Sequence, residues 1–174
     1  IERAVLLAEG SLITQEDLTQ AEDEAILEAL AMQRQTGVGV VTDGEYRRME
    51  FRSVFADAVS GMAEIPPPEQ AGQPLGSVSP GMVITNKVEA QRRLTAQESG
   101  FLLQNAGVPV KVAVPSVSLI VSSYWQRGAS EQAYPTTLSL YPEIAAILRA
   151  EIEALIADGV SYVQIDAPRY TYFV

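Results

Sequence analysis

The sequence has no cysteine and no histidine in 174 residues. Without cysteine there can be no disulfide, and the redox compartment is left unconstrained. Without either residue type, a zinc site of the common Cys/His kind cannot be assembled from this chain alone. Any catalysis must then come from Asp, Glu, Lys, Tyr, Ser or Arg, or from residues outside the chain. Basic residues are also scarce: 12 Lys and Arg stand against 22 Asp and Glu, for a net charge of −10 and a pI near 4.4. Phosphate binding needs a basic patch, so this balance argues against nucleic acid and anionic membranes as partners. No apolar run approaches the ~20 residues of a membrane span. The opening residues, IERAVLLAEG, lack the basic start and cleavage pattern of a secretory signal. The chain begins at Ile1 and ends on YTYFV with no polar tail, and it reads as a piece of a longer protein.

What is present is a repeated grammar. Residues 14–36 predict a long helix. Thr14 with Asp17 forms a capping-box-like start, and Glu16 and Asp17 suit the positive end of the helix dipole. Leu18, Ala21, Ala25, Ala29 and Met32, with Ile26 and Leu30 beside them, make one apolar stripe. Gly37 suits the left-handed position that ends a helix, and VGVVT (38–42) follows as a strand. The pattern returns in a helix over 90–106, Gly107 and the strand VKVAV (110–114). It returns again in a helix over 141–158, Gly159 and the strand YVQI (162–165). In the last helix Ile144, Ile147, Leu148, Ile152, Leu155 and Ile156 share a face, and Tyr162, Val163 and Ile165 read as a buried strand. Helix–glycine–strand units with β-branched strands predict an α/β fold, a parallel sheet covered by helices. Residues 62–82, rich in Pro and Gly, predict an extended surface excursion, with MVITNKVEA as a short strand after it. The helix–strand rhythm resumes beyond it, so residues 1–174 read as one domain.

Ligands of α/β proteins sit beyond the carboxyl ends of parallel strands. After the first strand stand Thr42, Asp43, Gly44, Glu45, Tyr46, Arg47 and Arg48. Ser116 and Ser118 follow the second, and Asp166 ends the third. Each has a plain structural reading. Asp43 can close a turn with Gly44, Glu45 can pair with Arg48 three residues on, and Ser116 and Ser118 can be ordinary loop hydroxyls. Asp166 is hardest to explain that way, because a carboxylate at the end of an apolar strand is desolvated at a cost unless something binds it.

These motifs, VVTDGEYRR with Phe51, then KVAVPSVS, then EIEALIADGVSYVQIDAP, together resemble the cobalamin-independent methionine synthase family, in particular its short single-barrel members, from about Leu18 to Val174. The resemblance implies a TIM (β/α)8 barrel of the methionine synthase/uroporphyrinogen decarboxylase-like type. Such barrels take ~250 residues, so this chain would be the N-terminal half, a partial barrel without its opening strand. It implies a cytoplasmic enzyme that moves a methyl group from 5-methyltetrahydrofolate to the thiol of homocysteine. Zinc would lower the pKa of that thiol, and the zinc ligands, His, Cys and Glu, would lie on later strands. Carried over by motif, Glu45 and Asp166 would receive the amino group of homocysteine and stand as the catalytic candidates. Asp43 and Arg48 would line the same site. Ser116 and Ser118 match the loop that faces the folate, and Tyr124 and Trp125 are the nearby aromatics that would stack on the pterin. Two departures, Ala167 where many members are acidic and Ser116-Val117 in the folate loop, leave the methyl donor open. The alternatives are another thiol alkyltransferase of the superfamily, like the epoxyalkane:coenzyme M transferases, or an inactive assembly unit. A half-barrel exposes raw sheet edges, so self-association is a further expectation.

Overall fold

We describe the protein from a computed structural model that gives residues 13–65 and 81–168. The chain divides into two compact units. Of the described residues, the first unit holds 13–51, 95–112 and 155–164, and the second holds 52–65, 81–94, 113–154 and 165–168.

In the first unit, helix α1 (Gln15–Gln35) begins as its sequence predicts. The Thr14 hydroxyl accepts from the Asp17 amide, and the Asp17 carboxylate accepts from the Thr14 amide at 2.7 Å. Gly37 follows the helix at φ +77°. The apolar stripe, however, is only partly core. Ala21, Ile26 and Leu30 are buried, whereas Leu18, Ala25, Ala29 and Met32 line an open groove of about 850 Å³ and Met32 is 61 % exposed. Helix α3 (Ala96–Ala106) starts later than expected, because 81–90 is a strand, and it ends at Gly107 with φ +65°. The Arg34 guanidinium donates to the carbonyls of Asn105 and Ala106, 3.0 Å each, placing a cation at the carbonyl end of α3. The strand expected over 38–42 contracts to one parallel bridge. The Val41 amide donates to the Pro109 carbonyl at 3.0 Å, and the Lys111 amide to the Val41 carbonyl at 2.8 Å. Val38 and Val40 stay exposed because only Val41 meets a partner.

Strands β3 (Lys111–Pro115) and β4 (Tyr162–Asp166) pair side by side. The Tyr162 amide bonds to the Val110 carbonyl, and the Ser116 amide to the Asp166 carbonyl. Both partners advance in the same sense, so the pair is parallel. The expectation that β4 is buried fails: Tyr162 and Ile165 are each 57 % exposed. Burying a parallel strand on both faces needs cover on both, and the described residues do not supply it. Nor do the described residues close a barrel; their architecture is α/β.

The second unit contains helix α2 (Ser53–Ala56), the antiparallel pair β1 (Val59–Ile65) and β2 (Gly81–Ala90), helix α4 (Val117–Tyr124) and most of helix α5 (Thr137–Ala157). The hairpin corrects the sequence reading of 62–82 as a surface excursion. Met62 pairs with Ile84 and Ile65 with Gly81, and the Pro-rich remainder, 66–80, lies outside the described residues. The register shifts between Ser60 and Met62, where Gly61 has φ +86° and a Cβ would sit 2.3 Å from the Lys87 carbonyl oxygen. Only glycine fits that bulge. Helix α5 begins at Thr137 rather than at Tyr141, so Pro142 lies inside it. Leu140, Ile144, Leu148 and Leu155 are buried, but Ile156, expected on the same face, is 63 % exposed one step around the helix. Val54, Phe55, Ile84, Val88, Ile120, Tyr124, Tyr134, Leu140, Ile144 and Leu148 form this unit's core.

A polar network crosses that core. The wholly buried Tyr134 accepts the Val88 amide at 2.8 Å and donates to Glu143, and Lys87 binds the other Glu143 oxygen at 2.9 Å. Burial, reinforced by the Glu143 carboxylate, pushes the Tyr134 phenol up to about 12. An unfolded tyrosine ionises near 10. The raised value therefore means that the stabilisation is fully present below pH 10 and is lost as pH rises through about 12. Thermal melts are expected to fall over that interval. Tyr134→Phe is expected to flatten the fall and to cost about 1–3 kcal/mol at neutral pH, because the Val88 amide is left unpaired.

Candidate functional site

The first unit builds a tight turn after Val41. The Gln33 side chain of α1 grips Thr42 at both ends, its amide nitrogen donating to the Thr42 carbonyl at 2.8 Å and its oxygen accepting the Thr42 amide at 3.0 Å. A side-chain amide thus takes the place of a strand neighbour. Asp43, 5 % exposed, accepts the Glu45 amide on Oδ1 at 3.1 Å, while its buried Oδ2 has no hydrogen-bond partner among the described residues. Gly44 lies at φ +74° under the Tyr46 ring, where a Cβ would meet Cε2 at 2.9 Å. Glu45 follows at φ +58°, and it is the one non-glycine residue with positive φ among those described. A glutamate held there is strained, and such strain persists only where the surroundings enforce it.

The enforcement comes from the next two residues. Arg47 binds Asp23 and approaches Glu22 of α1, and stacks over Phe101 of α3 at 4.9 Å. The Arg48 amide donates to the Glu45 carbonyl at 3.0 Å. Its side chain, 3 % exposed, makes a two-pronged bond to Glu98 of α3, Nε to Oε1 at 2.8 Å and Nη2 to Oε2 at 2.6 Å. Arg48 Nη1 lies 3.6 Å from Glu45 Oε2. Burial pushes the Glu98 carboxyl above its ordinary value, with Arg48 opposing it. Burial alone would lower Arg48, but the Glu98 contact overrides that and its guanidinium is held above the usual value.

In the second unit, Ser116 follows β3 and caps α4. Its hydroxyl accepts the Leu119 amide at 3.2 Å and lies 3.1 Å from the Ser118 hydroxyl. Its amide holds the Asp166 carbonyl at 2.9 Å, which sets the half-buried Asp166 beside it at the strand ends. Tyr124 and Trp125 stand apart from this loop. Tyr124 is 4 % exposed, stacked on Phe55 with its hydroxyl on the Arg52 carbonyl, and Trp125 donates to the Tyr134 carbonyl. The structure gives their rings to the core and its edge.

The structure therefore brings Asp43, Glu45 and Arg48 together in one unit and Ser116, Ser118 and Asp166 in the other. Gln33 and Glu98 were missed from the sequence. Gln33 is a helix residue with no local signature. Glu98 sits three residues after Thr95 and reads as a capping box, yet Thr95 makes no side-chain cap and the carboxylate serves Arg48.

Each unit thus sets polar side chains just past the carboxyl end of a parallel pairing, the place where α/β proteins in general hold ligands. The chain belongs to the family described as the cobalamin-independent synthase catalytic domain, whose model matches residues 2–172. It is 24 % identical to the Bacillus subtilis protein YxjG over all of this chain and 46 % of that one. It is 25 % identical to a methionine synthase of Pyrococcus abyssi over 95 % of this chain and 47 % of that one. The chain spans about half the length of the curated relatives it matches. Its fold is like that of a B12-independent methionine synthase from a Shewanella species, solved with selenomethionine, with TM-score 0.74 and 23 % identity over 92 % of this chain and 45 % of that one. A methionine synthase-like structure from Listeria monocytogenes matches with TM-score 0.72 at 20 % identity, over 98 % of this chain and 48 % of that one. Among the described residues no helix is long and apolar enough to cross a membrane.

Proposed function

We propose that this chain is part of a methyltransferase that moves a methyl group from 5-methyltetrahydrofolate to the thiol of homocysteine, on a barrel of which it forms one half. The observation that carries the reading is Glu45, a carboxylate held at φ +58° within the motif that the family resemblance assigns to the substrate's amino group. Asp43 holds the Glu45 backbone amide, and the one-third-exposed Glu45 carboxylate lies 3.6 Å from Arg48, an arrangement that favours a charged hydrogen bond from a ligand ammonium. The motif resemblance gives Asp166, at the end of β4, the role of an ammonium acceptor as well. Ser116 and Ser118 are proposed to face the methyl donor. Their loop and Ala167 differ from methionine synthase habit, so a different alkyl donor on the same scaffold is the second reading.

Zinc, which the resemblance implies, does not fit the residues in hand. The chain has no Cys or His, and among the described residues no group of three or more His, Cys, Asp or Glu side chains could hold a metal. On this reading the metal's ligands lie outside the chain, and the part played by these residues is to bind and orient the amino acid.

Asp166→Asn keeps size and most hydrogen bonding but removes the charge. In the full-length protein it is expected to weaken L-homocysteine binding by about 1.5–3 kcal/mol, the worth of one charged hydrogen bond, with the melting temperature little changed. A fall in melting temperature with unchanged affinity, read by calorimetry on the same preparation, would mark Asp166 as structural.

A further inference from the structure

We infer that Gln33 is a positioning residue for the turn that carries Glu45, because its side-chain amide ends the sheet at Thr42 and so fixes where that turn begins. The inference rests on the reading of this turn as the receiver of a ligand's amino group. It concerns the place of Glu45 and not its charge, which Arg48 faces at 3.6 Å. The Val41 amide and carbonyl are both spent on one edge, against Pro109 and Lys111. Peptide groups alternate between the two edges along a strand, so those of Thr42 face the opposite edge. There Gln33 of α1 takes both, donating from Nε2 to the Thr42 carbonyl at 2.8 Å and accepting the Thr42 amide on Oε1 at 3.0 Å. The other hydrogen of Nε2 goes to the Ala29 carbonyl, one turn back in α1, at 3.1 Å. Both hydrogens of the amide are thus committed to carbonyls. Turned over, the group would set its oxygen against those two carbonyls, so one orientation alone satisfies it. Thr42 is tied to α1 on one edge while Val41 is tied to the β3 side on the other, and a strand arriving at the Gln33 edge finds no free donor or acceptor at Thr42. The chain leaves the sheet at that point. Asp43 comes next and accepts the Glu45 amide at 3.1 Å, and Glu45 sits at φ +58° three residues beyond the clamp. Without Gln33 the two Thr42 groups lose their partners, the start of the turn is free to shift, and a displacement of about 1 Å is enough to spoil an oriented polar contact. Gln33 therefore governs where Glu45 meets a ligand, without touching the ligand.

The test compares L-homocysteine with 4-mercaptobutyrate, the same molecule without its amino group, by equilibrium titration of the full-length protein. The ratio of the two affinities isolates the amino-group site. The wild type is expected to prefer L-homocysteine by about tenfold or more, as one charged hydrogen bond implies. Gln33→Met keeps the length of the side chain and removes its hydrogen bonds. It is expected to cut the preference to about threefold or less while leaving 4-mercaptobutyrate affinity within about twofold. Arg34→Met is the control, because it removes two hydrogen bonds from the same helix end, those to the Asn105 and Ala106 carbonyls at 3.0 Å each. It is expected to lower the melting temperature comparably and to leave the preference intact. If Gln33→Met weakens both ligands equally, or leaves the preference unchanged, Gln33 only braces the strand end and the inference is overturned while the reading of Glu45 stands. An equal loss of preference in Arg34→Met overturns it as well, since any loosening of α1 would then suffice. A wild type without any amino preference removes the reading of Glu45, and this inference with it. Should Gln33→Met not melt cooperatively, Gln33→Asn keeps the amide but stops one methylene short of Thr42. A reduced preference in that variant supports the inference, and an unchanged preference overturns it.

Discussion

Arg48→Ala is expected to destabilise the protein by about 3–5 kcal/mol, because it strips the partner from a buried carboxylate. For a chain of this size that corresponds to a fall in melting temperature on the order of 10 °C. Glu98 is 7 % exposed, and burial already pushes its carboxyl upward even with Arg48 in place. Without the guanidinium that shift grows. A raised folded-state value gives stability that is present below the unfolded value, near 4.3 for glutamate, and lost as pH rises through the folded one. The gap between wild type and Arg48→Ala should therefore be small at pH 4 and widen toward pH 7. A gap of equal size at both pH values would mean that lost packing over Phe51, which Arg48 covers at 5.5 Å, outweighs the charge. Replacing both partners, as in Arg48→Met with Glu98→Leu, is expected to restore most of the stability, since no ion then remains unpaired.

The second large effect concerns Glu45, where stability and binding are expected to move in opposite directions. Glu45→Gly removes the side chain from a φ of +58°, a conformation glycine adopts freely. Relief of that strain is expected to raise stability by up to about 1 kcal/mol, partly offset by the greater freedom of glycine in the unfolded chain. The lost contact with Arg48 at 3.6 Å subtracts little, because Glu45 is one-third exposed and the pair is screened. Affinity for L-homocysteine is expected to fall about 10- to 100-fold, the loss of one charged hydrogen bond. Chemical denaturation gives the first quantity and titration the second. A variant that is both more stable and an equal binder would show that the strain serves only the turn.

Local chemistry settles several parts of this protein that can be read from neighbouring residues. Thr14 and Asp17 are three residues apart, and their reciprocal hydrogen bonds need nothing beyond one helical turn. Gly37 and Gly107 end helices because the left-handed position is cheap only for glycine. The turn at Asp43 and Gly44 and the contact of Glu45 with Arg48 are set by neighbours within four positions. Helices α1 and α5 and the parallel strands β3 and β4 followed from period and from β-branched runs, while the strand expected over 38–42 shrank to a bridge at Val41; the family resemblance rested on motifs of the same short range. The remainder depends on how distant elements pack. No spacing rule joins Arg48 to Glu98 or Gln33 to Thr42, and both pairs exist only because α1, the turn and α3 pack in one unit. The β1–β2 hairpin was hidden because its strands flank a Pro-rich stretch and their register depends on a bulge at Gly61. Tyr124 looked like a ligand-stacking ring, yet it faces Phe55, and apolar β4 lies half exposed. An aromatic or β-branched residue announces that it can be buried. Which surface buries it depends on the free energy of whole elements meeting, and that information is spread over residues tens of positions apart.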